Sequence, residues 1–389
     1  ATSSGVGAFA VEDTSQQVIV NNPSINTPAS VACIYGLVPK TLGCRSHDVL
    51  RTARGGSGVI AIVDVGYYPT ALADLQTFSK NFGVPRPKFK NVFCNSTACG
   101  VATHPPFNED ANGETALDLD WAHAMAPSAE LVLVSVNSFS FNDLMVGVDY
   151  AARVAAKAGG QVSMSIGGPE FSGQTTLDHN FVKRGATFFL SSGDHKCPGG
   201  GDNCADVNWP ATSPNVVAAG GTTIVRDSGG NFLGETPWID GGGGLSAVYS
   251  RPAFQNGVAA RVGNSRGVPD VALIADPATG VVVICSQSSC GNGFEHCTVA
   301  TCGFDGDIAV IGGTSLSAPA LAGITNNAGK SEPSSAAEQR LLYKELGGAR
   351  LNDIKTGQCK NGPGGAVTNA LTGWDVCTGV GTPKGKTAL

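Results

Sequence analysis

A single α/β domain, built on a doubly wound and mostly parallel sheet with helices on both faces, is what this sequence predicts. Two observations carry that expectation. Short apolar, β-branched runs, each the mark of a strand buried on both faces, alternate with stretches of helical period, as crossover units do. No internal repeat and no linker divides the 389 residues, so one domain over 1–389 is the simpler organisation. Hydrophobic residues make up 42% and charged residues 14%, a balance that suits a packed core and excludes disorder.

Along the chain, residues 1–55 read as polar and irregular. The run 58–65 (Gly-Val-Ile-Ala-Ile-Val-Asp-Val) is the first buried strand. A helix is predicted over 70–82, a second beginning near Gly113, and a strand over 130–136. A long helix over 141–158, a strand over 161–166, another helix and a strand over 186–190 complete the alternation. Ligands in such sheets bind at the carboxyl ends of the strands, and the candidate residues below fall there. The run Gly241-Gly242-Gly243-Gly244 lacks the Lys and Ser/Thr of a phosphate loop.

The formal net charge of -6 argues against a nucleic-acid partner, which needs a basic surface. Few ionisable groups also limit the charge that builds up in acid. No apolar run reaches the roughly 18 residues of a membrane span, and no leader is visible at Ala1, which points to a processed, exported chain. Twelve cysteines sharpen that reading. Close pairs (Cys33/Cys44, Cys94/Cys99, Cys197/Cys204, Cys359/Cys377) and the quartet Cys285, Cys290, Cys297, Cys302 suggest disulfides from an oxidising compartment. Zinc is the rival, but no C-x-x-C spacing is present. The quartet can pair locally or as nested bridges. Asn95-Ser96-Thr97 is an N-glycosylation pattern, common by chance.

Gly313-Thr314-Ser315-Leu316-Ser317-Ala318-Pro319 opens a predicted helix. A serine there meets the positive end of the helix, a good place to stabilise an oxyanion; an N-cap serine suits the position equally well. Glu114 and Asp118 lie four apart and share a helix face. A shared proton would relieve their repulsion and split their pKa values; a solvated acidic helix start is the plain alternative. Asp120 points to another face. His123 has no catalytic setting and reads as structural.

Gly313-Thr314-Ser315-x-Ser317-x-Pro319 with Ala322-Gly323 resembles the active-serine motif shared by subtilisins and sedolisins. Gly113-Glu114-x-x-Leu117-Asp118, followed by Ala126-Pro127-Ser128-Ala129, resembles the sedolisin helix bearing the catalytic Glu and its supporting Asp. Ser192-Gly193-Asp194 resembles the sedolisin segment that has Asp where subtilisins have an oxyanion-holding Asn. Further matches run from about Tyr35 to Pro383, including Trp209-Pro210-Ala211-Thr212-Ser213-Pro214, Gly220-Gly221-Thr222 and Val268-Pro269-Asp270-Val271-Ala272. The cysteine-rich insert before Ser315 is not a general feature of that family.

The resemblance implies a subtilisin-like fold and a mature serine-carboxyl peptidase domain over 1–389, secreted and acid-acting, with a lysosomal or vacuolar compartment as alternative. It assigns Ser315 as nucleophile, Glu114 as general base, Asp118 as its support and Asp194 as a protonated oxyanion donor. It assigns Ser165, Gly167 and Gly168 to substrate, on a strand edge free to pair with an extended peptide; Ile166 stands where many sedolisins have Trp. Within 351–383 it implies one Ca2+ held by Asp353 and Asp375 with the carbonyls of Ile354, Leu371 and Gly373, an oxygen-only shell. Implied partners are protein or peptide substrates and the chain's own propeptide, with no nucleic acid or membrane; a monomer is expected.

Three other readings stay open. One is a tripeptidyl-type exopeptidase of the same family. Another is a subtilisin-like Asp-His-Ser peptidase, since Val63-Asp64-Val65-Gly66 resembles the subtilisin Asp motif. The third is a non-catalytic binding domain.

Overall fold

Strand β1 (Val59–Val65) is buried at every position and lies at the centre of the sheet, as its unbroken apolar run requires. In the computed structural model of the protein, residues 22–40, 43–195, 207–329, 332–360, 367–387 and 389 are described. In chain order the main elements after β1 are α1 (Ala71–Phe82), β2 (Lys88–Phe93), α2 (Glu109–Met125), β3 (Glu130–Val136), α3 (Phe141–Ala158) and β4 (Gly160–Met164). Then come β5 (Ala186–Ser191), β6 (Val217–Arg226), β7 (Phe232–Pro237), β8 (Val271–Ile274), α4 (Thr314–Asn327) and α5 (Ser335–Lys344). The sheet order is β8-β6-β5-β4-β1-β3-β2, all parallel, with β7 antiparallel on β6. It is the doubly wound, mostly parallel sheet that the alternation predicts.

Period-2 alternation divides β1 between two cores. Val59, Ala61, Val63 and Val65 join the cluster under α3, with Leu144, Val148 and Ala152. Ile60 and Ile62 join the opposite cluster, with Leu117 of α2 and Leu321 of α4. Asp64 therefore falls on the α2/α4 face by parity alone. On β4, Val162 and Met164 take the α3 side, which sends Ser163 and, one step past the strand, Ser165 to the side of Asp64.

Two expectations change. The described part of residues 1–55 includes a helix, Pro28–Ile34, with every residue buried and Thr27 as its side-chain cap; its small and apolar residues pack into the core cluster rather than forming an irregular arm. Helix α2 starts at Glu109 rather than near Gly113, because Asn108 caps it by accepting from the Ala111 N–H (3.1 Å), and Glu109 and Asp110 occupy its first turn. Gly113 is thus interior.

Disulfides join Cys33–Cys44, Cys94–Cys99, Cys285–Cys290, Cys297–Cys302 and Cys359–Cys377, so the quartet pairs locally. Cys197 and Cys204 lie outside the described residues. No helix among the described residues is long and apolar enough to cross a membrane.

Candidate active site

Helices α2 and α4 cross at contact distance, and Gly323 makes this possible. A Cβ there would lie 2.6 Å from Met125 Cβ and 2.9 Å from the Ala122 carbonyl. That close crossing sets the helix of Glu114 and Asp118 against the helix of Ser315.

Ser315 is not the N-cap. Gly313 occupies that position at φ 102, which favours glycine, and Ser315 sits in the first turn, half-buried. Its amide is among those that a helix start leaves without an intrahelical acceptor. Pro319, four residues on, has no N–H to offer the Ser315 carbonyl. That carbonyl instead accepts from the Ser165 hydroxyl (3.2 Å). The serine-to-proline spacing of the motif thus has a physical use: it frees a carbonyl that ties the turn of Ser315 to the end of β4.

The same Ser165 hydroxyl is 3.0 Å from both carboxyl oxygens of Asp118. Its side chain is thus directed at Asp118 and the turn of Ser315. Glu114 and Asp118 are buried, 9% and 0% exposed, which removes the solvated-helix-start alternative. Burial pushes the Glu114 carboxyl well above the usual range, the Asp64 charge adds to this, and the Ser315 hydroxyl pulls the other way. Asp118 is likewise pushed well up by burial, then by the charges of Asp64 and Glu114, with Ser165 opposing.

Asp64 is the residue that motif reading assigned elsewhere. Among the described residues neither of its oxygens meets a donor at good hydrogen-bond geometry; the nearby Thr115 hydroxyl donates to the Ala111 carbonyl (3.0 Å) and only partly offsets the burial of Asp64. Burial raises its carboxyl to about 7. It joins a trio of carboxyls and no histidine supports it. His123 is buried, its Nε2 paired with the Pro85 carbonyl at 2.8 Å and its pKa lowered by burial to about 4. Beyond parity, the signal for Asp64 was its place at the C-terminal end of the central strand, where the doubly wound sheet places its sites.

Asp194 follows β5 and faces the start of α4. Its Oδ1 accepts from the Thr314 N–H (2.9 Å) and hydroxyl (2.7 Å). Its Oδ2 lies 2.8 Å from where a Gly313 Cβ would stand, and Ser315 Cβ is 3.7 Å from that same point. Burial raises its pKa, the Thr314 donors oppose this, and Asp240 adds to the rise. The glycine run has a use here: the Gly242 N–H donates to the Gly193 carbonyl (2.7 Å), where a Cβ on Gly242 would come to 2.4 Å.

The strand edge is shorter than expected. Strand β4 is flanked by β1 and β5, and Gly168 and Pro169 pair antiparallel with Trp209 and Asn208. The stretch Ser165–Gly167 remains outside the ladder, and Gly168 is paired rather than a free edge.

At the far end, the loop 371–375 closes on two carboxylates. Asp375 Oδ2 accepts from the Leu371 N–H (2.8 Å), and Oδ1 from the Cys377 and Thr378 N–H groups (3.0 and 2.9 Å). Asp353 Oδ2 accepts from the Gly373 N–H (3.0 Å), while its Oδ1 is buried without a partner. Among the described residues no three His, Cys, Asp or Glu side chains converge, so a cation there would rely on main-chain oxygens. The orphaned Asp353 oxygen fits calcium in that setting.

Among solved structures, Pseudomonas sedolisin (a serine-carboxyl proteinase, complexed with two molecules of pseudo-iodotyrostatin) matches with TM-score 0.71 at 24% identity, over 92% of this chain and 95% of that one. A structure of fervidolysin from Fervidobacterium pennivorans, described as related to subtilisin, matches with TM-score 0.51 at 16% identity, over 96% of this chain and 50% of that one. The fold is the subtilisin-like one. No family model matches the chain. Kumamolisin of Bacillus sp. (strain MN-32) is 30% identical over 385 residues, 93% of this chain and 63% of the relative. The chain spans about three fifths of that relative's length, and over nearly all of its own length it is similar to the sedolisin family.

Proposed function

We propose that the chain is an acid-acting serine-carboxyl endopeptidase. The observation that carries this is a half-buried helix-end serine beside a trio of buried carboxyls with no histidine base among them. Glu114 takes the Ser315 proton as the oxygen attacks the scissile carbonyl carbon. Asp118, held by Ser165, orients Glu114, and Asp64 supplies the further charge that keeps a proton within the trio. The carbonyl oxygen becomes an oxyanion facing protonated Asp194 Oδ2 and the Ser315 N–H. Glu114 returns its proton to the leaving amine, an ester forms on Ser315, and water admitted by the same route hydrolyses it. The substrate backbone lies along Ser165–Gly167, with Gly168 fixing the end of that stretch.

Calcium in the 351–383 region would be held by Asp353 and Asp375 with the carbonyls of Ile354, Leu371 and Gly373, and it would supply stability to that loop rather than chemistry. Chelation lowers the melting temperature by linkage; unchanged melting with no metal in elemental analysis removes calcium from the account. Export into an oxidising, acidic setting, outside the cell or in a lysosome or vacuole, suits the five disulfides. A propeptide removed on maturation and a monomeric state complete the reading.

The test is digestion of a denatured protein across pH with the products identified. Internal fragments and an acidic optimum support the endopeptidase. Tripeptides released only from free N-termini select the tripeptidyl mode instead. A neutral or alkaline optimum, or no acylation of Ser315 by a serine-directed phosphonate in acid, sinks the serine-carboxyl reading.

A further inference from the structure

Residues 281–311 form a disulfide-bridged lobe that takes no part in the chemistry above, yet they grip the back of the helix that carries the base. Strands 281–284 and 306–311 pair antiparallel, and the segment between them is stapled by Cys285–Cys290 and Cys297–Cys302. Four contacts run along α2. The Ile284 N–H donates to Asp120 Oδ2 (3.0 Å), and Trp121 Nε1 donates to the Val282 carbonyl (3.1 Å). Asn112 Nδ2 donates to the Ser289 carbonyl (2.9 Å). Phe294, only 3% exposed, has ring carbons 3.5 and 3.8 Å from where a Cβ on Gly113 would stand.

The lobe is itself anchored to α1. The Ser286 hydroxyl and N–H donate to the Asp74 carboxylate (2.5 and 3.1 Å), and the Thr70 and Ser289 hydroxyls lie 2.7 Å apart. Asn81 exchanges hydrogen bonds with the backbone of Asp305 (2.7 and 3.2 Å). Gly291, at φ +69, which favours glycine, passes close over the carboxyl of Glu109. At 100° per residue, Glu109, Gly113 and Asp120 lie within one arc of α2, and Glu114 and Asp118 face nearly the other way. The lobe holds the helix chiefly from this far arc, with Trp121 adding a contact lower down on the side of Glu114, while Ser315 meets the helix from the front.

We infer that this lobe is a positioning device for Glu114, with Asp120 as its principal grip and the Cys285–Cys290 bridge keeping the grip in shape. The inference rests on the peptidase reading. Glu114 faces Asp64, Asp118, Asp194, Ser315 and Ser165; Asp120 faces the Ile284 amide, Asp74 and Tyr68. None of the second group touches substrate, so their loss acts through helix placement alone. A displacement of about 1 Å in a catalytic group costs on the order of 100-fold.

The test uses the full chain with Asp120→Leu, with Asp120→Asn, and with Cys285→Ser and Cys290→Ser together. Hydrogen exchange of the 109–121 amides is followed by mass spectrometry, and kcat and KM are scaled to acylatable enzyme. In Asp120→Leu and the double serine variant, exchange over 109–121 rises and kcat falls about 10- to 100-fold with KM nearly unchanged. The acidic limb of the rate profile moves to lower pH as water reaches Glu114 and relieves its burial. Asp120→Asn, whose amide oxygen still accepts from Ile284, restores all three. Variants that lose melting temperature but keep wild-type kcat and acidic limb overturn the inference, as does unchanged exchange over 109–121. If wild-type Ser315 is not acylated, the peptidase reading fails, and the exchange data still decide whether the lobe holds the helix.

Discussion

Asp270 and Asp118 are equally buried, yet their surroundings differ in kind. Asp270 is clasped by Arg266 through N–H···O bonds of 2.7 and 2.6 Å, and it also accepts from the Ala218 N–H (2.9 Å), Tyr343 hydroxyl (3.0 Å) and Gln339 amide (3.3 Å). Among the described residues Asp118 accepts only from the Ser165 hydroxyl, and its neighbours Glu114 and Asp64 are further carboxyls. A carboxylate given a cation and a full set of donors is a structural joint. Carboxyls packed together without either hold protons where others have lost them, and a group that titrates near the working pH can both take and return a proton. On the proposed function, the same residue type, buried to the same degree, serves folding in one place and chemistry in the other, and the partners decide which.

The sharpest way to break that division is at the nucleophile. Ser315→Ala should lower kcat/KM by about 10^4-fold or more with melting unchanged, since Ser315 is half-buried and removing its hydroxyl opens no buried charge. Activity close to wild type would dismiss the assignment. Asp270→Ala should do the reverse. It strands Arg266 in the core, which costs about 3–5 kcal/mol, so melting falls steeply while acylation of the folded fraction persists. A mild effect on melting would put Asp270 outside the structural class.

Glu338 offers a third carboxyl that belongs to neither class. It is fully buried on α5, both oxygens lack partners, and burial aided by Glu332 raises it to about 8. The unfolded chain loses this proton near the ordinary 4.5, whereas the folded chain keeps it. The folded state then binds more protons between these values, so stability is full below about 4.5 and declines as pH rises toward 8. Glu338→Gln removes that slope and should narrow the gap in melting temperature between pH 4 and pH 7. A gap as wide as in wild type would mean that the carboxyl is not protonated in the fold.

How far these groupings were readable beforehand depends on what set them. The strands were legible because burial on both faces demands unbroken apolar runs, and the face shared by Glu114 and Asp118 because helical period does. Asp64 entered only through the subtilisin-like alternative, and its place beside Glu114 and Asp118 follows from the parity of β1, which tells which core its side chain enters. The start of α2 was hidden since its cap, Asn108, follows Pro105-Pro106-Phe107 and has no apolar period before it. The grip of residues 281–311 on α2 was out of reach, because Asp120 and Ile284 are 164 positions apart and no period links them. The inward turn of Ser165 needed the knowledge that Pro319 leaves the Ser315 carbonyl open.

Asp194 stands between the two classes, and the smallest effect comes from it. One oxygen is satisfied twice by Thr314, as at a structural joint, while Oδ2 faces Gly313 beside the nucleophile. The Thr314 donors fix the acceptor role on Oδ1, so the proton needed to hold an oxyanion resides on Oδ2. Activity should then fall as pH rises through the Asp194 pKa, which burial has moved upward. Asp194→Asn keeps an acceptor for Thr314 and places an amide N–H where the acid proton was, a donor at any pH. Its alkaline limb should move to higher pH, until deprotonation of another group takes over, at some loss of rate because the amide is a weaker donor than the acid. Glu114 should still set the acidic limb, since a protonated carboxyl cannot accept the serine proton. An Asn variant whose active fraction keeps the wild-type alkaline limb would return Asp194 to the structural class and leave the oxyanion to the Ser315 amide alone.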